Sequence, residues 1–148
     1  MRNRVLAMLI WCVSFSLILG AANASAASDS LADHKVVLQI SDPNPFKQTL
    51  VLNVAGNLIK HYGPDLIDLE IVAFGPGLRM LFADNANSGR VKSLAANNVK
   101  FSACGNTLAK MTKQLGYKPK LNPNAKVVPG GAVRIIDLES QGYVLLKP

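Results

Sequence analysis

The sequence predicts an α/β fold, a three-layer α/β/α sandwich around a five-stranded, mostly parallel sheet. Three observations predict it. Five short runs rich in aliphatic and β-branched residues recur along the chain. Between them lie segments whose apolar residues repeat at three- and four-residue spacing. Gly, Pro and Asn clusters separate the two kinds of segment. Strands that alternate with helices pair in parallel through right-handed crossovers. The composition agrees: 49% hydrophobic and 17% charged residues in a chain of 148 exclude a disordered polymer and suit one domain. Two cysteines exclude a disulfide-stapled mini-protein and a four-cysteine zinc site.

The domain begins after a leader. Arg2 and Arg4 precede an uncharged apolar run over residues 5–19, and two A-x-A patterns follow at Ala22-Asn23-Ala24 and Ala24-Ser25-Ala26. This is the order of a secretory signal peptide, and the run is short of the ~20 residues of a membrane span. Cys12 sits mid-run behind Trp11, away from any cleavage site, so it is not the cysteine of a lipoprotein. The expected division is a signal peptide over residues 1–26 and an α/β domain over 27–148, periplasmic or secreted and free of the membrane after cleavage. Cleavage removes two arginines, lowering the formal charge from +7 to +5, and leaves Cys104 as the sole thiol.

Within the domain, Val36-Val37-Leu38-Gln39-Ile40 is the first strand, nearly continuous in apolar character as a sheet covered on both faces requires. Ser41-Asp42-Pro43-Asn44-Pro45 opens a helix over residues 46–62. Its apolar stripe is read as Leu50, Val51, Val54, Ala55, Leu58 and Ile59, with Leu52 off the pattern and Gly63-Pro64 as the stop. Leu69-Glu70-Ile71-Val72-Ala73-Phe74 is the second strand, broken by Gly75-Pro76-Gly77; one or two helical turns over 78–82, a loop over 83–89 and a short helix over 90–97 follow. Val99-Lys100-Phe101-Ser102-Ala103 is the third strand. Thr107 opens a helix with Leu108, Met111 and Leu115 on one face and Gly116 as its stop. Residues 117–125 form a loop, Lys126-Val127-Val128 the fourth strand, 131–141 the last helix, and Tyr143-Val144-Leu145-Leu146 the fifth strand. Strand order does not follow from these runs.

Ligands of open α/β sheets bind beyond the carboxyl ends of the strands. That rule selects residues 41–45, 75–78, 104–107 and 129–131. Cys104 closes a strand and precedes a helix, where backbone N–H groups stabilise a thiolate; a small buried hydrophobe is the equally weighted alternative. His34 and His61 have no Cys or His at metal-ligand spacing, so neither a metal nor a cofactor is expected. Gly75-Pro76-Gly77 lacks the Lys-Ser/Thr of a phosphate loop and reads first as a tight turn. Lys110, Lys113, Lys118, Lys120 and Lys126 read as a solvated surface, and Asn53 and Asn57 as helix surface, with an inter-subunit site the sharper reading of the asparagines. Export and sparse aromatics argue against nucleic-acid binding.

Two segments carry a family resemblance. Ile71-Val72-Ala73-Phe74-Gly75-Pro76-Gly77-Leu78 resembles the Val-Ala-Phe-Gly-Pro-Gly-Leu loop of the DsrE/DsrF-like sulfur-relay family. Val99-Lys100-Phe101-Ser102-Ala103-Cys104-Gly105-Asn106-Thr107-Leu108 resembles its cysteine segment, the more specific of the two. Val127-Val128-Pro129-Gly130-Gly131-Ala132-Val133 and Gln141-Gly142-Tyr143 extend the likeness, which spans roughly residues 35–148. The resemblance implies a similar three-layer domain that assembles into homo-oligomers, trimers or hexamers. It also implies a persulfide-carrying Cys104 and a sulfur donor or acceptor protein as partner; among the strand-end residues, Gly75, Pro76, Gly77, Gly105, Asn106 and Thr107 are the candidate ligand contacts. Where some relatives place histidine before the loop glycine, this chain has Phe74, so no general base is expected there.

Three functions are therefore expected to compete: an exported sulfur carrier acting through Cys104, a non-catalytic module binding a small sulfur compound or anion, and an oligomeric scaffold. The leader itself is directly testable. N-terminal sequencing of the exported protein is expected to begin between Ser25 and Ser28, and an intact Met1 in a membrane fraction overturns the signal-peptide assignment.

Overall fold

A computed structural model of the chain describes residues 32–148; the expected signal peptide lies outside the described residues. The elements follow in the order β1 (His34–Ile40), α1 (Pro45–Tyr62), β2 (Ile67–Ala73), a 3-10 helix (Gly75–Leu81), α2 (Ser88–Ala95), β3 (Lys100–Cys104), α3 (Gly105–Leu115), β4 (Ala125–Val128), α4 (Gly131–Ser140) and β5 (Val144–Leu146). All five strands pair in parallel in the order β4-β3-β2-β1-β5, so the α/β class and the parallel sheet stand as expected.

That order dictates the layers. The chain adds β2, β3 and β4 successively toward one edge, then returns across the sheet to place β5 beside β1. Right-handed crossovers in one direction put their helices on one face, and a crossover in the reverse direction puts its helix on the other. The packing agrees. Leu38, Ile71, Ala73 and Phe101 of the sheet bury against Val51, Leu52 and Ala55 of α1, Val91 of α2, and Leu108 and Met111 of α3. The alternate residues Val37 and Val72 bury instead against Ile135 and Leu138 of α4.

Local sequence explains most boundaries. Asn44 caps α1 by accepting the Phe46 N–H at 2.9 Å, and Pro45 stands at its first turn, where a missing N–H costs nothing. Gly116, in the left-handed region at φ 76°, ends α3. Two of the differences from the sequence reading change what is buried. Leu52 is fully buried and Leu50 exposed, because Gln48, Val51, Leu52 and Ala55 form the stripe that faces the sheet. The second strand also starts two residues early, at Ile67, which brings Asp68 into the sheet.

The whole of β2 is buried, including its two acids. Glu70, 1% exposed, accepts from Arg134 of α4 through Nε at 2.8 Å and Nη2 at 2.6 Å, and from the Ser102 hydroxyl at 2.6 Å. Asp68 accepts from Lys100 Nζ with both oxygens at 2.7 Å and bonds to Tyr143, whose phenol is pushed above its ordinary range by burial and by that carboxylate. Arg134→Met leaves the Glu70 carboxylate buried without its guanidinium. Because Arg134 is itself one-third exposed, the expected loss is at the low end of the range for breaking a buried pair, about 3 kcal/mol. Urea unfolding followed by circular dichroism measures it. Glu70→Leu combined with Arg134→Met is expected to recover most of the loss, less about 1 kcal/mol for the orphaned Ser102 hydroxyl.

Candidate functional site

The carboxyl ends of β3 and β4 form a topological switch point. The connection after β3 leads to α3 on one face, and the connection after β4 leads to α4 on the other. Adjacent strands whose helices diverge in this way leave a crevice between them. Cys104 ends β3 at this crevice and is the N-cap residue of α3; Val128, its register partner, ends β4.

Two helix N-termini converge on the Cys104 sulfur from opposite faces. The backbone N–H groups of Asn106 and Thr107 in α3 and of Gly131 in α4, with the Thr107 hydroxyl, lie around the sulfur and lower its pKa, while the side chain makes no capping hydrogen bond to α3. The residue is 5% exposed. Burial pushes the thiol pKa up, but the Thr107 hydroxyl and the three N–H groups together outweigh it. The net shift is below the ordinary thiol range.

Glycines permit this convergence. A Cβ on Gly131 would stand 2.9 Å from the Cβ of Phe74, so only glycine lets the start of α4 pack on that ring and bring its N–H to the thiol. A Cβ on Gly105 would stand 3.0 Å from the Val128 carbonyl, where β3 and β4 approach most closely. Phe74 thus acts as the platform for α4 at the position where a general base was considered.

The structure gathers the residues singled out from the sequence, in unequal roles. The Gly75 N–H donates to Thr107 Oγ1 at 3.0 Å, coupling the loop after β2 to the hydroxyl that touches Cys104. Pro76 is exposed beside it. Gly77 is buried against the backbone of Ile40 and Ser41 and donates its N–H to the Ser41 carbonyl at 3.1 Å. Gly105 begins α3, and Asn106, exposed, donates its N–H to the Pro129 carbonyl at 3.2 Å. Of the two sequence readings of Cys104, its packing follows the buried one.

The histidines are not brought to the thiol. His34 and His61 both pack on Tyr62, His34 tilted at a centroid distance of 4.1 Å and His61 edge-on at 4.6 Å, at the opposite end of β1 from the crevice. Asn53 accepts from Arg90 Nη2 at 2.6 Å and ties α1 to α2. Among the described residues, no group of three or more His, Cys, Asp and Glu side chains could hold a metal ion, and no helix is long and apolar enough to cross a membrane.

Sequence reasoning missed the polar residues below the thiol. Cys104, Ser102 and Lys100 alternate onto the face that carries α4, with Glu70 and Asp68 beside them on β2. A signal existed: Glu70 and Ser102 each interrupt an apolar strand, and a buried carboxylate demands donors. Arg134, between Val133 and Ile135, is the matching cation.

The fold and site define an α/β protein whose lone described thiol is held at a switch point by two helix starts. The chain is similar to a solved structure, that of the protein of unknown function MTH1491 from Methanobacterium thermoautotrophicum. The two share 27% identity at a TM-score of 0.70, over 78% of this chain and 100% of that one. No protein-family model matches the chain, and no curated protein matches it.

The Thr107 hydroxyl supplies a removable donor. Thr107→Val keeps the side-chain shape and destabilises the thiolate, so the pH midpoint of Cys104 alkylation is expected to rise by about one unit or more, as for loss of one hydrogen bond to a charged group. Thr107→Ser is expected to leave the midpoint in place. An unmoved midpoint in Thr107→Val overturns the assignment.

Proposed function

We propose that this protein is an exported sulfur carrier that accepts and passes on sulfane sulfur through Cys104. One observation carries the reading: the starts of α3 and α4 meet at Cys104, and their N–H groups with the Thr107 hydroxyl lower its pKa against the effect of burial. A thiolate is both the nucleophile and the carrying atom of such chemistry. The likeness of residues 99–108 to the cysteine segment of the DsrE/DsrF-like sulfur-relay family supports the same reading.

The transfer step needs no external oxidant. The Cys104 thiolate attacks the outer sulfur of a donor persulfide, R–S–SH. A sulfur–sulfur bond forms at Cys104 while the donor's breaks, and the electron pair leaves on R–S⁻. The proton stays on the transferred sulfur, and an acceptor thiolate reverses the process. No histidine is needed at the thiol, because the donors already favour its ionised form.

The domain acts as a homo-oligomer, a trimer or hexamer in keeping with the family likeness, with a sulfur donor or acceptor protein as its partner. Val127 on the edge strand β4, Val133 and Ile136 on α4 and Val144 on the edge strand β5 are large apolar side chains left exposed in the monomer, and they support an assembly. The burial of Cys104 favours a second reading, a non-catalytic module in which the thiol is inert.

Mass spectrometry after polysulfide exposure separates the two. The protein is expected to gain sulfur at Cys104. Cys104→Ser is expected to gain none while keeping the circular dichroism and the light-scattering mass of the oligomer. A thiol that reacts only after denaturation leaves the module reading standing, and a monomeric scattering mass overturns the assembly.

A further inference from the structure

A cavity lies on the α4 face of the sheet and reaches Val128, the residue beside Cys104 on the neighbouring strand. It is an open groove of about 520 Å³ over β3 and β4, lined among others by Glu70, Lys100, Ser102, Lys126, Val128 and Arg134. Its origin is topological: α4 buries Val37 and Val72 of β1 and β2, packs on only part of β3, and leaves the outer part of that face open. Val128, the register partner of Cys104, lines the groove, and Lys126 is the register partner of Ser102.

The acids of this groove lie beneath its cations. Glu70 is 1% exposed and its oxygens are taken by Arg134 and Ser102, and Asp68 beside the groove is held by Lys100. Arg134 and Lys100 remain 33% and 53% exposed. A guanidinium carries five N–H donors and an ammonium three, so both keep donors for a ligand. Lys126 is exposed and makes no ion pair among the described residues. The surface offered to a ligand is therefore cationic, with a hydroxyl at its floor.

We propose that this groove binds the carboxylate-bearing part of a low-molecular-mass thiol, which delivers or receives sulfur at Cys104 in persulfide form. The inference rests on the carrier reading and names the substrate class for the same thiol. At a rise of ~3.3 Å per residue and ~4.8 Å between strands, Lys126 lies roughly 8 Å from Cys104 and Lys100 roughly 13 Å, between Cα atoms. A tripeptide spans about 10 Å when extended, which matches a thiol at one end and carboxylates at the other. The volume also falls within the usual range for small-molecule sites. In the step, the Cys104 thiolate takes the outer sulfur of R–S–SH and R–S⁻ leaves with the bonding electron pair; the groove holds R throughout.

Two measurements test this. The first is calorimetric binding of S-methylglutathione, an unreactive probe, to Cys104→Ser. Saturable binding is expected, weakened about tenfold by adding Lys126→Glu, kept by Lys126→Arg and reduced by salt. No saturable binding, or binding indifferent to Lys126→Glu, overturns the groove. The second compares sulfur uptake from glutathione persulfide with uptake from inorganic polysulfide, which has no carboxylates. In Lys126→Glu the ratio of the two rates is expected to fall about tenfold, and an unchanged ratio overturns the groove while leaving the carrier standing. Uptake from neither donor by the wild type, with Lys126-dependent binding retained, overturns the carrier and the persulfide role and leaves only an anion-binding groove.

Discussion

The bidentate pair between Glu70 and Arg134 is the constraint on which the site depends. A carboxylate at 1% exposure in the central strand is tolerable only with donors around it, and three converge on it, two from Arg134 and one from Ser102. Arg134 stands in the first turns of α4, the helix that covers the face opposite α1, α2 and α3. Anchoring that arginine to the middle of the sheet fixes where the N-terminus of α4 falls. The Gly131 N–H then lies near enough to lower the Cys104 pKa, and the outer part of the face stays open. Such a pair contributes little net stability compared with an apolar replacement, and its value here is positional.

At the thiol, two effects oppose each other. Burial favours the neutral form, while the Thr107 hydroxyl and the N–H groups at the starts of α3 and α4 favour the charged one; the net shift is downward. These donors come from residues 106, 107 and 131, so the balance exists only when α3 and α4 are both docked. The loop after β2 adds a second level of control, since the Gly75 N–H orients the Thr107 hydroxyl. A thiol built in this way combines nucleophilic character with shielding, because over-oxidation requires access as well as ionisation.

The groove and the crevice have one topological origin. When the chain turns back after β4, a single helix must cover a face that three elements share on the other side. It covers β1 and β2, and the remainder of the face is polar: Lys100, Ser102 and Lys126 stand where a covered sheet would carry valine or leucine. Glu70 and Asp68, buried beneath, hold Arg134 and Lys100 in place at this exposed half, where Lys126 makes no ion pair among the described residues.

The α/β class, the alternation of elements and the placement of Cys104 at a strand-to-helix junction were all legible in the sequence. Periodicity, capping residues and glycine stops are local properties, and Asn44, Gly116 and the apolar runs act within a few residues of themselves. Where local reading failed, a longer-range choice decided: Leu50 and Leu52 both fit an apolar stripe, and only the packing of α1 on the sheet selected Leu52. The sequence by itself therefore determined which elements form and which residue is the candidate nucleophile. The tertiary structure alone decided the strand order, the burial of the thiol, the arrival of Gly131 beside it and the pairing of Glu70 with Arg134 across 64 residues. The reason is physical: these contacts depend on which strands become neighbours and which face each helix covers, and neither is encoded in any short stretch of chain.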